Sequence, residues 1–561
     1  MSKFRALWQA EAVSVWRLIY SVAFSIMLVL ARHVVYNGGD LTSTYVSDFS
    51  PLDLLYFVLF LPIVYLVLTL LAVVVNMTAA GFFVAPGTHP ARLFVVLTAF
   101  FMILWIPYLM TYWPGGIYSD TVDSIQTAMG NAEWDNHNPI LYTFIWRLVF
   151  LVTGYFNGNG EYPGLKFFTV FQMLLVAGIM AYFIAWCVRR GVHRAFVALI
   201  IVYTALCPLY PFYGISLWKD TIFSVVMFGF SLFLFGRIAC NDDMKTVDYV
   251  LYGLLLLLVI FLRNNGIYIA AFTALIAFLI LRKQFRAKAR RLGIISLAVI
   301  IVSFIVQGPV YDSLGFNSIK KGESLGIPLQ QTAYIIASGG VIEDEAYEVL
   351  DEIMPMYNWI TKYDPVVADT IKFDPSFNKT YFNMKTGDFV KAYLTLIKDN
   401  PIPALKGYML ATMGFWDATK SSSIAYICNT HFGNATFFMT DYFEYYMGWS
   451  FKNLVEPKHY LSSGLMVWFM LLTLVAVLSK RSYRLIIPIL PTIGLWLTLM
   501  IATPVSFSFR YVYSIFLCIP LYILIILSSR AFSAGESTGD AESTGRDTFA
   551  QKAEAVTEED K

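Results

Sequence analysis

The chain has 561 residues, 58% of them hydrophobic and 17% aromatic, with only 14% Asp, Glu, Lys and Arg, against roughly 25% charged in an ordinary soluble domain; a water-soluble globule is excluded. The net charge of +2, with basic residues scattered between apolar runs, excludes a nucleic-acid partner, which demands a concentrated basic surface. The five cysteines, Cys187, Cys207, Cys240, Cys428 and Cys518, are dispersed without a CxxC pair, which suggests neither a zinc site nor a disulfide framework.

The first apolar run begins near Val13, behind Lys3 and Arg5. It is long and no small-residue cleavage pattern follows, so it reads as a retained span and not as a signal peptide. About 20 apolar residues let an α-helix cross hydrocarbon, and that length predicts spans at about 14–35, 53–75, 93–112, 166–188, 195–213, 221–238, 248–263, 267–282, 292–308, 463–479, 485–503 and 511–529. The expected fold is an all-α polytopic membrane protein, a bundle of about 12 transmembrane helices with interfacial helices and large outer loops. Five regions follow: 1–92, an N-terminal segment with two extra spans; 93–308, a transmembrane core; 309–460, a large loop domain; 461–529, the last spans; and 530–561, a tail. Arg189, Arg190 and Arg194, then Arg282 to Arg291, then Lys480, Arg481 and Arg484 fill three connections on one side. Cytoplasmic loops carry such an excess of Lys and Arg, so this side and both termini are expected in the cytoplasm, with the protein in the plasma membrane.

On the opposite side, the 113–165 loop opens with Trp113-Pro-Gly-Gly116, which ends a helix and turns the chain. Asp120 and Asp123 follow, three residues apart and thus on one helical face. Asp120 fits a helix N-cap with Asp123 at N3; it equally fits a carboxylate that takes a proton from a hydroxyl nucleophile. His137 precedes Pro139 in Trp134-Asp-Asn-His-Asn-Pro, where a structural hydrogen-bonding role competes with one in substrate binding. Residues 139–152 hold Arg147 in an apolar stretch and read as a helix lying in the membrane interface.

Lys219 and Asp220, in Gly214-Ile-Ser-Leu-Trp-Lys-Asp, either pair with each other, or Lys219 snorkels as an interfacial anchor beside Trp218, or it is a cation positioned for a lipid phosphate. Arg263 and Arg510 fall at the outer ends of their spans. Arginine suits bidentate phosphate contact, and two arginines there run against the charge bias and need an anionic partner. In the second outer loop, 343–354 and 387–399 are expected helices, the latter capped by Thr386, and 402–416 is expected to dip toward the bilayer. Gln330 and Gln331 lie at the start of this loop and the aromatic stretch 437–449 near its end, where loop packing is one reading of both. After Arg530 the composition turns to Ser, Gly, Glu, Asp, Ala and Thr, which cannot bury enough apolar area to order itself, so 530–561 is expected to be a disordered tail. No internal repeat is evident.

Trp113-Pro-Gly, Asp120, Gln126, Gly130, His137-x-Pro139, Trp218-Lys219-Asp220, Arg263-Asn-x-Gly266, Ile327-Pro-Leu-Gln-Gln331 and Phe509-Arg-Tyr511 together resemble an uncharacterised family of bacterial multi-pass proteins similar to the GT-C glycosyltransferases. The resemblance runs from about Leu93 to Leu527. It implies a polyprenyl-phosphate sugar as donor, a glycan, lipid or protein as acceptor, an inverting transfer on the extracytoplasmic face, and a loop carboxylate, matched by Asp120, that activates the acceptor, with Asp123 as an additional one. Lys219, Arg263 and Arg510 are then expected on the donor phosphate, and His137, Asp220, Gln330, Gln331 and Tyr511 in substrate binding, with the glutamines on sugar hydroxyls and the aromatic stretch 437–449 stacking on pyranose faces as alternatives to loop packing. Some members of that class employ a divalent metal, but no compact His and carboxylate cluster here demands one, and no metal ligand is assigned. The competing reading is a transporter or flippase of a charged lipid-linked glycan. Transporters place their ionisable groups near the midplane on broken helices and in repeated halves, whereas these collect at one rim.

Overall fold

The computed structural model describes residues 2–37, 40–79, 82–84, 87, 89–154, 162–240, 243–316, 324–422, 430–432, 435–437, 439–452, 461–503 and 505–537. The described chain is almost entirely helical, with two short antiparallel hairpins, Val34–Asn37 with Asp40–Val46 and Thr430–Phe432 with Ala435–Phe437. Apolar helices without periodic polarity can satisfy every backbone group internally, as hydrocarbon requires.

The expected count of twelve spans does not hold. Among the described residues, six helices are long and apolar enough to cross a membrane: Val15–His33, Leu52–Ala79, Pro163–Arg189, Lys219–Ala239, Arg286–Ser313 and Tyr483–Ala502. Two bent pairs, Arg194–Leu206 with Leu209–Ile215 (50°) and Phe509–Leu517 with Ile519–Ser529 (41°), raise the number to eight if each is one span. Hydropathy hides what the backbone does at these places. The predicted span 93–112 is broken at Trp105, because Pro107 in the first turn of the Ile106–Thr111 helix cannot supply the N–H that would continue the Pro90–Leu104 helix. Pro208 bends 195–213 in the same way. The Pro90–Leu104, Thr246–Phe261, Gly266–Leu281 and Ser463–Ser479 helices have 15 to 17 residues, about 23–26 Å at 1.5 Å per residue, short of a hydrocarbon core of about 30 Å.

One apolar core runs through the bundle. It joins the Pro163–Arg189 helix (Phe168, Met173, Met180), the Lys219–Phe233 helix (Phe223, Met227) and the Tyr513–Leu517 helix (Tyr513, Phe516). The helix expected over 139–152 forms as Ile140–Thr153, and Arg147 Nη1 pins it to the Ser119–Met129 helix by donating to Ala128 O at 2.8 Å.

The second loop carries its own core, in which Leu329, Leu350, Trp359, Phe382, Phe389 and Leu396 pack together. Its predicted helices appear as Asp344–Ile353 and Thr386–Asp399. Thr386 does not cap the latter: it lies inside the helix, and its Oγ1 donates back to Phe382 O at 2.7 Å. Residues 401–412 form a helix continued by a tight turn at Met413–Phe415. At the C-terminal end the Ile519–Ser537 helix continues past Arg530, where disorder was expected to begin; residues 538–561 lie outside the described residues.

Candidate functional site: a carboxylate and cation cluster

Two distant segments lie side by side and build the site. Gly116 N donates to Ile215 O at 2.9 Å and Leu217 N to Gly116 O at 2.8 Å, a parallel bridge between Gly116 and Ser216. The chains leave this bridge into two helices that start together, Ser119–Met129 and Lys219–Phe233. The aromatic rings just before them, Tyr118 and Trp218, stack with centroids 3.7 Å apart. Tyr118 Oη and Ser216 Oγ lie 3.0 Å apart, and Gln172 Nε2 donates to Gly214 O and Ser216 O, so the pairing is held from the Pro163–Arg189 helix as well.

The approach depends on Gly115, whose φ is +138°; a Cβ there would stand 2.3 Å from Thr169 Oγ1. That hydroxyl donates to Pro114 O at 2.6 Å, so it has no room to yield.

The two segments are also alike in sequence. Gly116-Ile-Tyr-Ser-Asp-Thr-Val-Asp-Ser124 aligns with Ser216-Leu-Trp-Lys-Asp-Thr-Ile-Phe-Ser224, sharing the aromatic, the Asp-Thr pair, the aliphatic residue and the serine. The serines make the same bond: Ser124 Oγ donates to Asp120 O at 2.9 Å and Ser224 Oγ to Asp220 O at 2.7 Å. This local repeat is the signal that a search for repeated halves passes over. It explains why Asp120 and Asp220 occupy equivalent second positions of helices, where a negative charge faces the free amides of the first turn. Neither helix is capped by its aspartate: Tyr118 and Trp218 hold the N-cap positions, without a side-chain cap bond. The N-cap reading of Asp120 therefore does not hold.

Instead the carboxylates pair outward, and they cross over. Asp120 Oδ2 accepts from Arg510 Nη1 at 3.0 Å and lies 3.3 Å from Lys219 Nζ. Asp220 Oδ1 accepts from Arg263 Nη1 at 2.9 Å. Lys219 thus pairs with the other segment's aspartate and not with its neighbour Asp220. Asp220 is buried, and among the described residues its Oδ2 has no hydrogen-bond partner. Burial pushes the Asp120 carboxyl up, but Lys219 and Arg510 outweigh it and hold the group well below the usual carboxylate range.

Arg263 comes from the turn between the Thr246–Phe261 and Gly266–Leu281 helices. Gly266 makes that turn tight: a Cβ there would stand 2.0 Å from Val259 O. Tyr511 lies between the two arginines, with Arg510 Cζ 4.9 Å and Arg263 Cζ 5.3 Å from its ring centroid, and its Oη accepts from Arg510 Nη2 at 3.0 Å. Arg510 also lies over Trp218 at 5.0 Å. Tyr511 is buried, and its ring spaces the two guanidinium groups.

The His137 loop closes over the same cluster. Lys219 Nζ donates to Asn138 Oδ1 at 2.5 Å, and Asn264 Nδ2 donates to the carbonyls of Asn136 (3.0 Å) and His137 (3.2 Å). Asn138 and Asn264 are site residues that the reading of charges overlooked, because amides carry none; their placement inside the two quoted motifs was the available signal. Asp123 stands one turn further along, and burial first and the Asp120 charge second push its carboxyl up, against the pull of His137.

The glutamines belong elsewhere. Gln331 spans the core of the second loop, donating from Nε2 to Ala404 O at 2.8 Å and accepting from Tyr393 Oη at 2.6 Å, which uses both ends of its amide in packing. Gln330 is buried on the same helix. The aromatic stretch 437–449 is described except for residue 438, and Tyr445, Tyr446 and Trp449 are exposed in it. Among the described residues, no group of three or more His, Cys, Asp and Glu side chains is arranged to hold a metal ion.

The cluster therefore sets Lys219, Arg263 and Arg510 against the paired Asp120 and Asp220, with Asp123 one turn away; an anion with several oxygens is the kind of ligand such cations bind. No curated protein and no solved structure matches the chain. A family described as one of unknown function, DUF6020, matches residues 129–543, a stretch that holds His137, Lys219, Asp220, Arg263 and Arg510 and begins after Asp120. With that match covering more than half of its length, the chain belongs to the DUF6020 family.

Proposed function

We propose that the protein is a membrane glycosyltransferase that moves a sugar from a polyprenyl-phosphate donor to a hydroxyl of a glycan, lipid or protein acceptor, on the extracytoplasmic face of the plasma membrane. The observation that carries the reading is the shared oxygen: Asp120 Oδ2 is held by both Arg510 (3.0 Å) and Lys219 (3.3 Å). The GT-C resemblance and the basic girdle on the other side of the chain support the donor class and the orientation.

A donor phosphate competes with Asp120 for these two cations. As Lys219 turns to the phosphate oxygens and Arg510 shares its fork with them, the hold on the Asp120 carboxyl weakens, and the carboxylate regains basicity when the donor arrives. The acceptor oxygen then attacks the anomeric carbon, its proton passes to Asp120, and the carbon–oxygen bond to the phosphate breaks with its electron pair leaving on the phosphate. The configuration inverts. The extra negative charge that develops on the phosphate is met by Lys219, Arg510 and Arg263, pre-placed in a site where water is sparse and such contacts weigh most. Asp220 keeps Arg263 in position.

The test is expression of Asp120→Asn and Arg263→Ala in a deletion background, with surface glycans assayed at matched protein level. General acid–base groups contribute roughly 10²- to 10⁴-fold, and Asp120→Asn is expected to lose activity on that scale. Full glycan synthesis by this variant overturns the base role. Labelling of a cysteine introduced at Asn131 from the outside of intact cells is expected if the orientation is right; labelling only after permeabilisation reverses it.

A further inference from the structure

We propose that the second loop carries an acceptor subsite for an anionic saccharide, built from Phe373 and Lys379 beside His137. Phe373 ends the short Asp369–Lys372 helix and is 50% exposed. Its ring meets the His137 ring edge to face, with centroids 6.4 Å apart and planes at 87°. His137 is the residue before Asn138, which holds Lys219, and its own carbonyl is held by Asn264. An exposed aromatic of the loop domain thus stands two residue contacts from the carboxylate and cation cluster.

Charge sorts the cations around this ring. Lys372 Nζ lies 5.4 Å from the ring centroid but is buried and pairs with Asp369 at 2.9 Å, and Lys362 Nζ pairs with Asp374 at 3.3 Å. Lys379 is exposed, its Nζ lies 5.3 Å from the Phe373 ring centroid, and among the described residues no carboxylate lies within ion-pair distance of it. An exposed cation–π contact is worth only about 0.5–1 kcal/mol, so a ligand carboxylate or phosphate draws Lys379 off the ring at little cost. The uncovered ring face, negative in its quadrupole, then receives the C–H face of a pyranose. A neutral sugar gains the stacking without the ion pair, which is why the geometry selects an anionic one. Its place as the acceptor side rests on the transferase reading; the binding itself does not.

The experiment uses the full-length protein in lipid nanodiscs and calorimetric titration with trigalacturonate and with neutral galactotriose. Trigalacturonate is expected to bind about tenfold more tightly at low salt, the scale of one hydrogen bond to a charged group, and to lose much of that margin at about 0.5 M salt, where the Debye length shrinks to roughly 4 Å and an exposed ion pair is screened. Lys379→Gln is expected to equalise the two ligands, Phe373→Ala to weaken both, and Phe373→Tyr to restore them. Equal binding of the two sugars by the unmodified protein, or unchanged binding by Lys379→Gln and Phe373→Ala, overturns the subsite. Failure of the transferase reading shows separately, as binding of a polyprenyl phosphate that Arg263→Ala leaves intact.

Discussion

Arg510 Nη1 lies 3.0 Å from Asp120 Oδ2, although 390 positions separate the two residues in the chain. The guanidinium also donates to Tyr511 Oη and lies over the Trp218 and Tyr511 rings, so its plane is fixed on several sides before any ligand arrives. A lysine at this position keeps the charge but has neither the plane nor the fork. Arg510→Lys is therefore expected to fold and to bind a polyprenyl phosphate about 10- to 100-fold more weakly, the range of a lost hydrogen bond to a charged group. Unchanged affinity in a direct binding measurement removes Arg510 from the phosphate site.

The Asp220 and Arg263 pair separates stability from function. Asp220 is buried, with a side chain only 3% exposed, and Arg263 is the cation bonded to it. Removing one partner of a buried pair leaves an uncompensated charge, a cost of about 3–5 kcal/mol. Arg263→Ala is expected to lower the melting temperature markedly, and Asp220→Asn combined with Arg263→Ala to recover most of the loss, since neither charge remains. The double variant is expected to stay inactive, because the cation is still missing. Recovery of glycan synthesis along with stability assigns Arg263 to the fold alone.

The residues of this cluster were legible in the sequence one at a time, and their pairing was not. Ionisable side chains at the non-basic rim stand out because topology gives no reason for them, and that criterion found Asp120, Lys219, Asp220, Arg263 and Arg510. Which aspartate meets which cation depends on the bridge between Gly116 and Ser216. Backbone pairing between segments this far apart leaves no periodic trace, and the natural guess, Lys219 with its neighbour Asp220, was wrong. The burial of Tyr511 and Gln331 was not legible either, because a hydroxyl and an amide carry no mark of it. The span count failed for a different reason: hydropathy averages over Trp105 and Pro208 without registering that the helix stops there.

Gly115 offers a test of the turn itself. Its φ of +138° strains any other residue, and a Cβ would press on Thr169 Oγ1 at 2.3 Å and on Ile215 O at 3.3 Å. Gly115→Ala is expected to cost about 1–3 kcal/mol in thermal unfolding. Adding Thr169→Ala relieves the clash and leaves the backbone strain, so partial recovery is the expected result. Full recovery means that crowding alone, and not the dihedral, demands glycine; no loss in the single variant means the bridge is dispensable.

Asp123 and Asp120 titrate in opposite senses, and the signs make a pH experiment decisive. Both carboxyls start from an ordinary value of 3.8; Asp123 is raised, by burial and then by the Asp120 charge, and Asp120 is lowered, with Lys219 and Arg510 overcoming its burial. A raised carboxyl binds its proton more tightly in the folded state than in the unfolded one, so its contribution to stability is full below 3.8 and is lost as pH rises through its folded value. A lowered carboxyl contributes above 3.8, and that contribution fades as pH falls from 3.8 toward its folded value. At neutral pH, Asp123→Asn is therefore expected to raise Tm and Asp120→Asn to lower it. The gain from Asp123→Asn should close below 3.8, and it should shrink at neutral pH in the Asp120→Asn background, where the repelling charge is gone. A lower Tm for Asp123→Asn at neutral pH reverses the sign of its interaction with Asp120 and makes Asp123 a paired carboxylate like its neighbour.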